Sequence, residues 1–151
     1  MVSINQIKWH KNKDSFSNNH IIKLHKDCLP KDPLMNLSKK KKFKFYDLAK
    51  KYCHIYLGSY NKSLIAFGCF LKLSFIPNSK KEKVIFSILL YIFVDKKYQR
   101  KSLGKYIINN FLEYSNFILL VTKEKTYLQF YKKFRNSSFA FLGRRLVCIR
   151  K

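Results

Sequence analysis

Two rhythms of apolar residues divide this chain. Between residues 18 and 52 apolar side chains recur every three or four positions, the period of an amphipathic helix. In "NNHIIKLHKDCLP" this spacing puts Ile21, Leu24, His25 and Cys28 on one face, and Pro30 supplies a stop. "DPLMN" reads as a turn. From Leu37 a second helix is predicted, with Phe45, Leu48, Ala49 and Tyr52 inward and Lys39–Lys42 in its first turns.

The second rhythm is that of strands. Residues 2–9 read as a short first strand. "CHIYLGSY" and "SLIAFGCFLKL" follow the helices, joined at "YNKS" as a hairpin. "IPNSKKEK" is a polar loop. Val84–Val94 is apolar throughout, which predicts a central strand covered on both faces. Ser102–Tyr114 is a helix with Leu103, Tyr106, Ile107, Phe111 and Tyr114 inward, and "NFILLVT" is another buried strand. "EKTYLQFYKKF" is a helix with Tyr127, Phe130, Tyr131 and Phe134 on one side, and "FAFLGRRLVCIRK" closes with strand character. The order β-α-α-β-β-β-α-β-α-β predicts an α/β (α+β) fold: a mixed, mostly antiparallel sheet of about six to seven strands with helices on both faces. The strand–helix–strand unit over 84–122 should be a right-handed crossover with parallel strands. No repeat or linker interrupts the pattern, so residues 1–151 are expected to form a single domain.

Composition adds a limit and an ambiguity. With 47% hydrophobic and 17% aromatic residues in 151, the chain can build a core and is not of disordered type. The net charge of +24 has two readings. Lysine outnumbers arginine, and Ile, Asn, Phe and Tyr abound, which a bias toward A/T-rich codons would produce. Alternatively, the field attracts anions such as cofactor phosphates or nucleic acid. The cations lie in dispersed runs and form no basic tail. Cys28, Cys53, Cys69 and Cys148 show no paired spacing, and the four histidines show no metal-ligand spacing. No apolar leader opens the chain, and the longest apolar run falls short of the roughly 20 residues that span a bilayer. The expectation is a cytoplasmic protein without a membrane span or metal, its oligomeric state open between monomer and homodimer.

The stretch with chemistry in it is "YIFVDKKYQRKSLGKYIINNF". It places a strand end, a basic turn and a helix start in succession. A helix N-terminus offers unpaired backbone N–H groups and about half a positive charge, and so binds phosphate. Gly104 lets a ligand approach the backbone, Ser102 can cap the helix or donate its hydroxyl, and Arg100, Lys101 and Lys105 add charge.

Within this stretch, "VDKKYQRKSLGKYII" resembles the acyl-CoA-binding motif of the GNAT superfamily of N-acetyltransferases. Val94 ends the strand, Gln99 fills the Gln/Arg slot, Ser102 replaces the first glycine and Gly104 fills the last. A serine fits the glycine slot if its φ stays negative. The resemblance implies that Phe93 and Val94 contact the pantetheine arm of acetyl-CoA or another acyl-CoA. It implies that the turn Gln99, Arg100, Lys101, Ser102, Leu103, Gly104 and Lys105 holds the pyrophosphate.

Downstream, "EKTYLQFYKKFRNSSF" is similar to the family segment that ends in Tyr-Glu-Lys-Leu-Gly-Phe. Glu124 stands where Asn is usual, and Arg135–Ser138 lengthen the loop. The resemblance implies that Tyr131 protonates the departing CoA thiolate; by periodicity alone Tyr131 is one inward aromatic among several. "IIKLHKDCLPKDPLMNLSKKKKFKFYDLAKK" is similar to the first two helices of bacterial family members associated with surface-sugar biosynthesis, which implies an amino sugar among the possible acceptors. Acetyl transfer to an amine also needs a deprotonated amine. "VIFSILLYIFV" contains no carboxylate, which leaves His25, His54, Asp47 or a bound water as base. The expected function is acetyl transfer to a primary amine of a small molecule. The alternative is a GNAT-fold binding module without turnover, using its positive surface on nucleic acid or the ribosome.

Overall fold

The computed structural model describes residues 4–10, 13–78, 82–122, 129–134, 136–141 and 145–150. After a 3₁₀ turn at Ile4–Gln6 come β1 (Lys8–His10), α1 (Asn18–Cys28), α2 (Lys39–Tyr52), β2 (His54–Tyr60) and β3 (Ser63–Phe75). Then follow β4 (Val84–Val94), α3 (Leu103–Leu112), β5 (Phe117–Thr122), β6 (Ser137–Phe141) and β7 (Arg145–Arg150). The seven strands form one mixed sheet in the order β1-β2-β3-β4-β5-β7-β6. Strands β4 and β5 are parallel around α3, as the strand–helix–strand pattern predicts, whereas β1/β2, β2/β3, β5/β7 and β6/β7 are antiparallel. The chain divides into two compact units.

The first unit comprises Met1–Phe70 and Tyr91–Ile107. Its hairpin turns at Asn61 and Lys62, whose φ angles of 47° and 62° are those of a tight two-residue turn that follows the strand twist. Helix α1 buries Ile21, Leu24 and His25, and its end before Pro30 matches the sequence. Helix α2 is rotated from its expected phase. Tyr46 and Ala49 point inward, whereas Leu48 and Tyr52 are 47% and 62% exposed. The Tyr46 hydroxyl lies 2.5 Å from Nδ1 of the buried His25, and that polar contact fixes the rotation against the apolar count.

On β3, Gly68 admits α3. A Cβ there would lie 2.6 Å from Cγ2 of the fully buried Ile107 and 3.1 Å from the Phe70 ring. Gly68→Ala is therefore expected to lower stability by ~1–3 kcal/mol, measured as a fall in the urea midpoint at unchanged slope. Combined with Ile107→Ala, it should cost less than the sum of the two single changes, because the new methyl fills part of the cavity.

The second unit comprises Leu71–Leu90 and Ile108–Lys151. Its parallel register is pinned at the start of β5: the Asn116 side chain accepts from Ile85 N–H at 2.8 Å, and Asn116 N–H donates to the Ile85 carbonyl at 2.7 Å. Phe86 stacks on Phe117 at 5.4 Å, and the Ser87 and Ser115 hydroxyls meet at 2.6 Å. Three expectations need correction in this unit. Strand β4 alternates more than its sequence suggests: Ser87 and Leu89 are buried but Leu90 is 41% exposed, so one face is the better covered. Tyr114 lies just beyond α3 and is exposed. The closing segment is two strands, β6 and β7, paired from Ser137↔Ile149 to Phe141↔Arg145. The helix expected over 124–134 is described only near its end, where 129–131 are helical; Tyr127 and Glu124 lie outside the described residues. No helix among the described residues is long and apolar enough to cross a membrane.

Candidate active site

Strand β4 delivers the chain to the turn that the sequence singled out. Phe93 is buried, its ring between His25 at 4.8 Å and Phe67 at 4.7 Å, both nearly parallel to it. Packing takes up that ring, so the main chain is what Phe93 can offer a ligand. The Val94 carbonyl accepts two hydrogen bonds, from the Gln99 side-chain amide at 3.0 Å and the Cys28 thiol at 3.3 Å. Burial pushes the Cys28 thiol up to about 11, with Asp95 and Asp27 adding to the effect, so it keeps its proton and remains a donor. Asp95 N–H pairs with the Ile65 carbonyl at 2.8 Å, and its carboxylate accepts from Lys97 N–H at 2.8 Å. That carboxylate caps the 3₁₀ turn Lys96–Tyr98, a feature legible in "VDKK" from the Asp alone.

The Gln99 side chain thus closes the turn onto the strand that precedes it. Arg100 and Ser102 both adopt left-handed backbone, with φ of 61° and 60°. The condition set for Ser102, a negative φ, is not met: the serine occupies the conformation for which glycine is suited, at a cost of about 1–2 kcal/mol. Its carbonyl accepts from Tyr106 N–H at 2.9 Å, the first hydrogen bond of α3. The amides of Leu103, Gly104 and Lys105 precede that bond and so have no partner within the helix. Leu103 is buried and anchors the first turn, Gly104 is half-buried, and Arg100, Ser102 and Lys105 are exposed. The Lys101 ammonium lies 5.4 Å from the Tyr98 ring centre. Strand end, turn and helix start therefore bring helix amides without an intrahelical partner together with cations, a setting for a diphosphate. Ser102→Gly should raise stability by about 1 kcal/mol, seen as a higher urea midpoint, and should leave acetyl-CoA affinity intact or tighter.

The expected base residues are placed differently from one another. His25 is fully buried; burial lowers its pKa against the opposing pull of Asp32, whose carboxylate lies 3.7 Å from Nε2. It is neutral, locked to Tyr46 and packed on Phe93, and serves the core rather than an acceptor. Asp47 is exposed and accepts from the Asn18 side chain at 2.7 Å. His54 is exposed at the start of β2. In the second unit Tyr131 is buried, its ring 5.0 Å from Phe130, and its carbonyl accepts from Phe134 N–H at 3.1 Å. Cys28 was not anticipated as a partner of the turn, because nothing local links it to Val94.

The model of the acetyltransferase (GNAT) family matches residues 18–118, which include the turn after β4 and end before Tyr131. The chain belongs to the GNAT acetyltransferase family. GNAT enzymes use acetyl-CoA as co-substrate, and this chain is an acetyl-CoA-dependent acetyltransferase by that membership. Among curated proteins, none matches the sequence. Solved structures agree in fold. An acetyltransferase from Streptococcus agalactiae superposes with a TM-score of 0.69 at 12% identity, covering 98% of this chain and 100% of that one. The Arabidopsis thaliana NAA60 structure in complex with acetyl-CoA gives 0.69 at 14% identity, over 96% and 99%. The PaiA N-acetyltransferase of Thermoplasma acidophilum in complex with coenzyme A gives 0.66 at 12%, over 96% and 99%. At these identities the likeness is one of fold alone.

Proposed function

We propose that this GNAT protein transfers an acetyl group from acetyl-CoA directly to a primary amine of a small molecule. The turn after β4 carries the proposal: the Gln99–Val94 bond holds a strand end, and the first amides of α3 have no partner within the helix. In this reading Phe93 and Val94 meet the pantetheine arm through their main chain, and the backbone from Gln99 to Lys105 holds the pyrophosphate. A β4 main-chain N–H polarises the thioester carbonyl, where charge develops as the amine attacks. Tyr131 then gives its proton to the CoA thiolate; a phenol is a suitable acid for a thiolate of similar basicity. With no carboxylate on β4, the amine loses its proton to a bound water or enters with a low pKa of its own.

The similarity of α1 and α2 to sugar-modifying family members makes amino sugars the first acceptors to try. The test is release of free CoA thiol from acetyl-CoA with a panel of amino sugars, polyamines and peptides. Amine-dependent release supports the reading. Release that no amine accelerates, together with tight, salt-sensitive RNA binding, would instead favour a binding module.

A further inference from the structure

Strand β1 and the β2–β3 hairpin border an open cavity of about 380 Å³. Its described lining includes Gln6, Lys8, His10, Ser59, Asn61 and Lys62, and no carboxylate is among the described lining residues. His10 Nε2 lies 2.7 Å from the hydroxyl of the buried Ser59, which is also 3.4 Å from the Lys8 carbonyl. Phe16 stands edge-on to the His10 ring at 5.3 Å and holds its orientation. The positive φ of Asn61 and Lys62 fixes the turn at the rim. Asp14, close by in sequence, lies 3.6 Å from the Lys50 ammonium and is outside the described lining.

We propose that this cavity binds the phosphate monoester of a small molecule, with Lys8 and Lys62 neutralising the dianion, Asn61 and the protonated His10 ring donating to its oxygens, and Ser59 holding that ring in place. Charge selects the ligand class: two ammonium groups with neutral donors match a dianion, and a lysine ammonium serves phosphate as a point charge. A cation would meet two like charges and no counter-charge in the described lining. The described lining shares no residue with the turn from Gln99 to Lys105, and the proposal does not depend on the acetyl-transfer reading.

His10 makes the binding testable by pH. Burial, and then Lys8 on the same strand, hold its pKa below the usual histidine value. Lys62 faces it from the turn, His20 lies beyond Phe16 at 5.7 Å from that ring, and Asp14 is engaged with Lys50. A bound dianion favours protonated His10, so affinity expressed per phosphate dianion, corrected for the second protonation of phosphate itself in this range, should tighten as pH falls from about 8 to about 6.

The experiment uses the full chain, saturated with acetyl-CoA so that the turn after β4 is occupied, and titrated with inorganic phosphate. The His10 ring proton is followed by NMR. A saturable shift is expected, with a raised His10 pKa and roughly tenfold weaker binding in Lys8→Gln and in Lys62→Gln. His10→Gln should bind phosphate without tightening at low pH. An unmoved His10 signal overturns the proposal. So does equal weakening by a distant change such as Lys40→Gln, which would reveal only a diffuse positive field. Loss of the shift in the presence of acetyl-CoA would assign the cavity to the cofactor and also refute it.

Discussion

Replacing Gly104 with glutamate should weaken acetyl-CoA binding by roughly 100-fold or more. Gly104 is the second residue of α3, in the first turn, where the helix amides have no internal partner. A carboxylate there would stand where the proposed pyrophosphate sits. Two like charges about 4 Å apart at a protein surface repel by about 4 kcal/mol before salt screening. The same carboxylate favours the helix itself, because negative charge at an N-terminus complements the dipole by about 0.3–1 kcal/mol. The variant should therefore fold as well as the parent and fail only in binding, a separation that few substitutions offer. Calorimetric titration with acetyl-CoA, beside urea unfolding without ligand, reads both. Intact affinity in a folded Gly104→Glu variant would remove the turn from the cofactor site.

Tyr131→Phe should lower kcat by about 100-fold while leaving acetyl-CoA affinity within about twofold, the pattern of an acid that acts only as the thiolate departs. Tyr131 is buried, so loss of its hydroxyl also carries a stability term of about 1 kcal/mol, to be measured separately by urea unfolding. A purely structural tyrosine would show that stability term with kcat unchanged. Rescue of the variant's rate by acetyl thioesters of more acidic thiols, whose departing thiolate needs no proton, would strengthen the assignment. Unchanged kcat with natural acetyl-CoA would end it.

How much of this was legible in the sequence depended on range. Blocks and alternations of apolar residues are local, and β2, β3, β4 and β5 were read from them with the hairpin between β2 and β3. The phase of α2 was misread because Leu48 and Tyr52 have core-like chemistry and spacing, while the deciding contact runs from Tyr46 to His25, 21 residues away. The paired strands at the end of the chain were read as one; Gly143 within that apolar run was the available signal of a break. At the turn, the residue types announced phosphate chemistry. What they hid was backbone: nothing in the letters of Arg100 and Ser102 declares a left-handed φ. Nor could the sequence give the Cys28–Val94 bond, which joins residues 66 apart.

The central claim is that the folded chain seats acetyl-CoA on the turn between β4 and α3. Thermal unfolding across an acetyl-CoA series tests it most directly, since a ligand that binds only the folded state stabilises by about 2.7 kcal/mol at 100 times its dissociation constant. In a domain of this size that should raise the melting temperature by roughly 5–10 °C, rising with the logarithm of acetyl-CoA, and the rise should vanish in Gly104→Glu. A melting temperature unmoved at millimolar acetyl-CoA, or one that rises equally in Gly104→Glu, would contradict it.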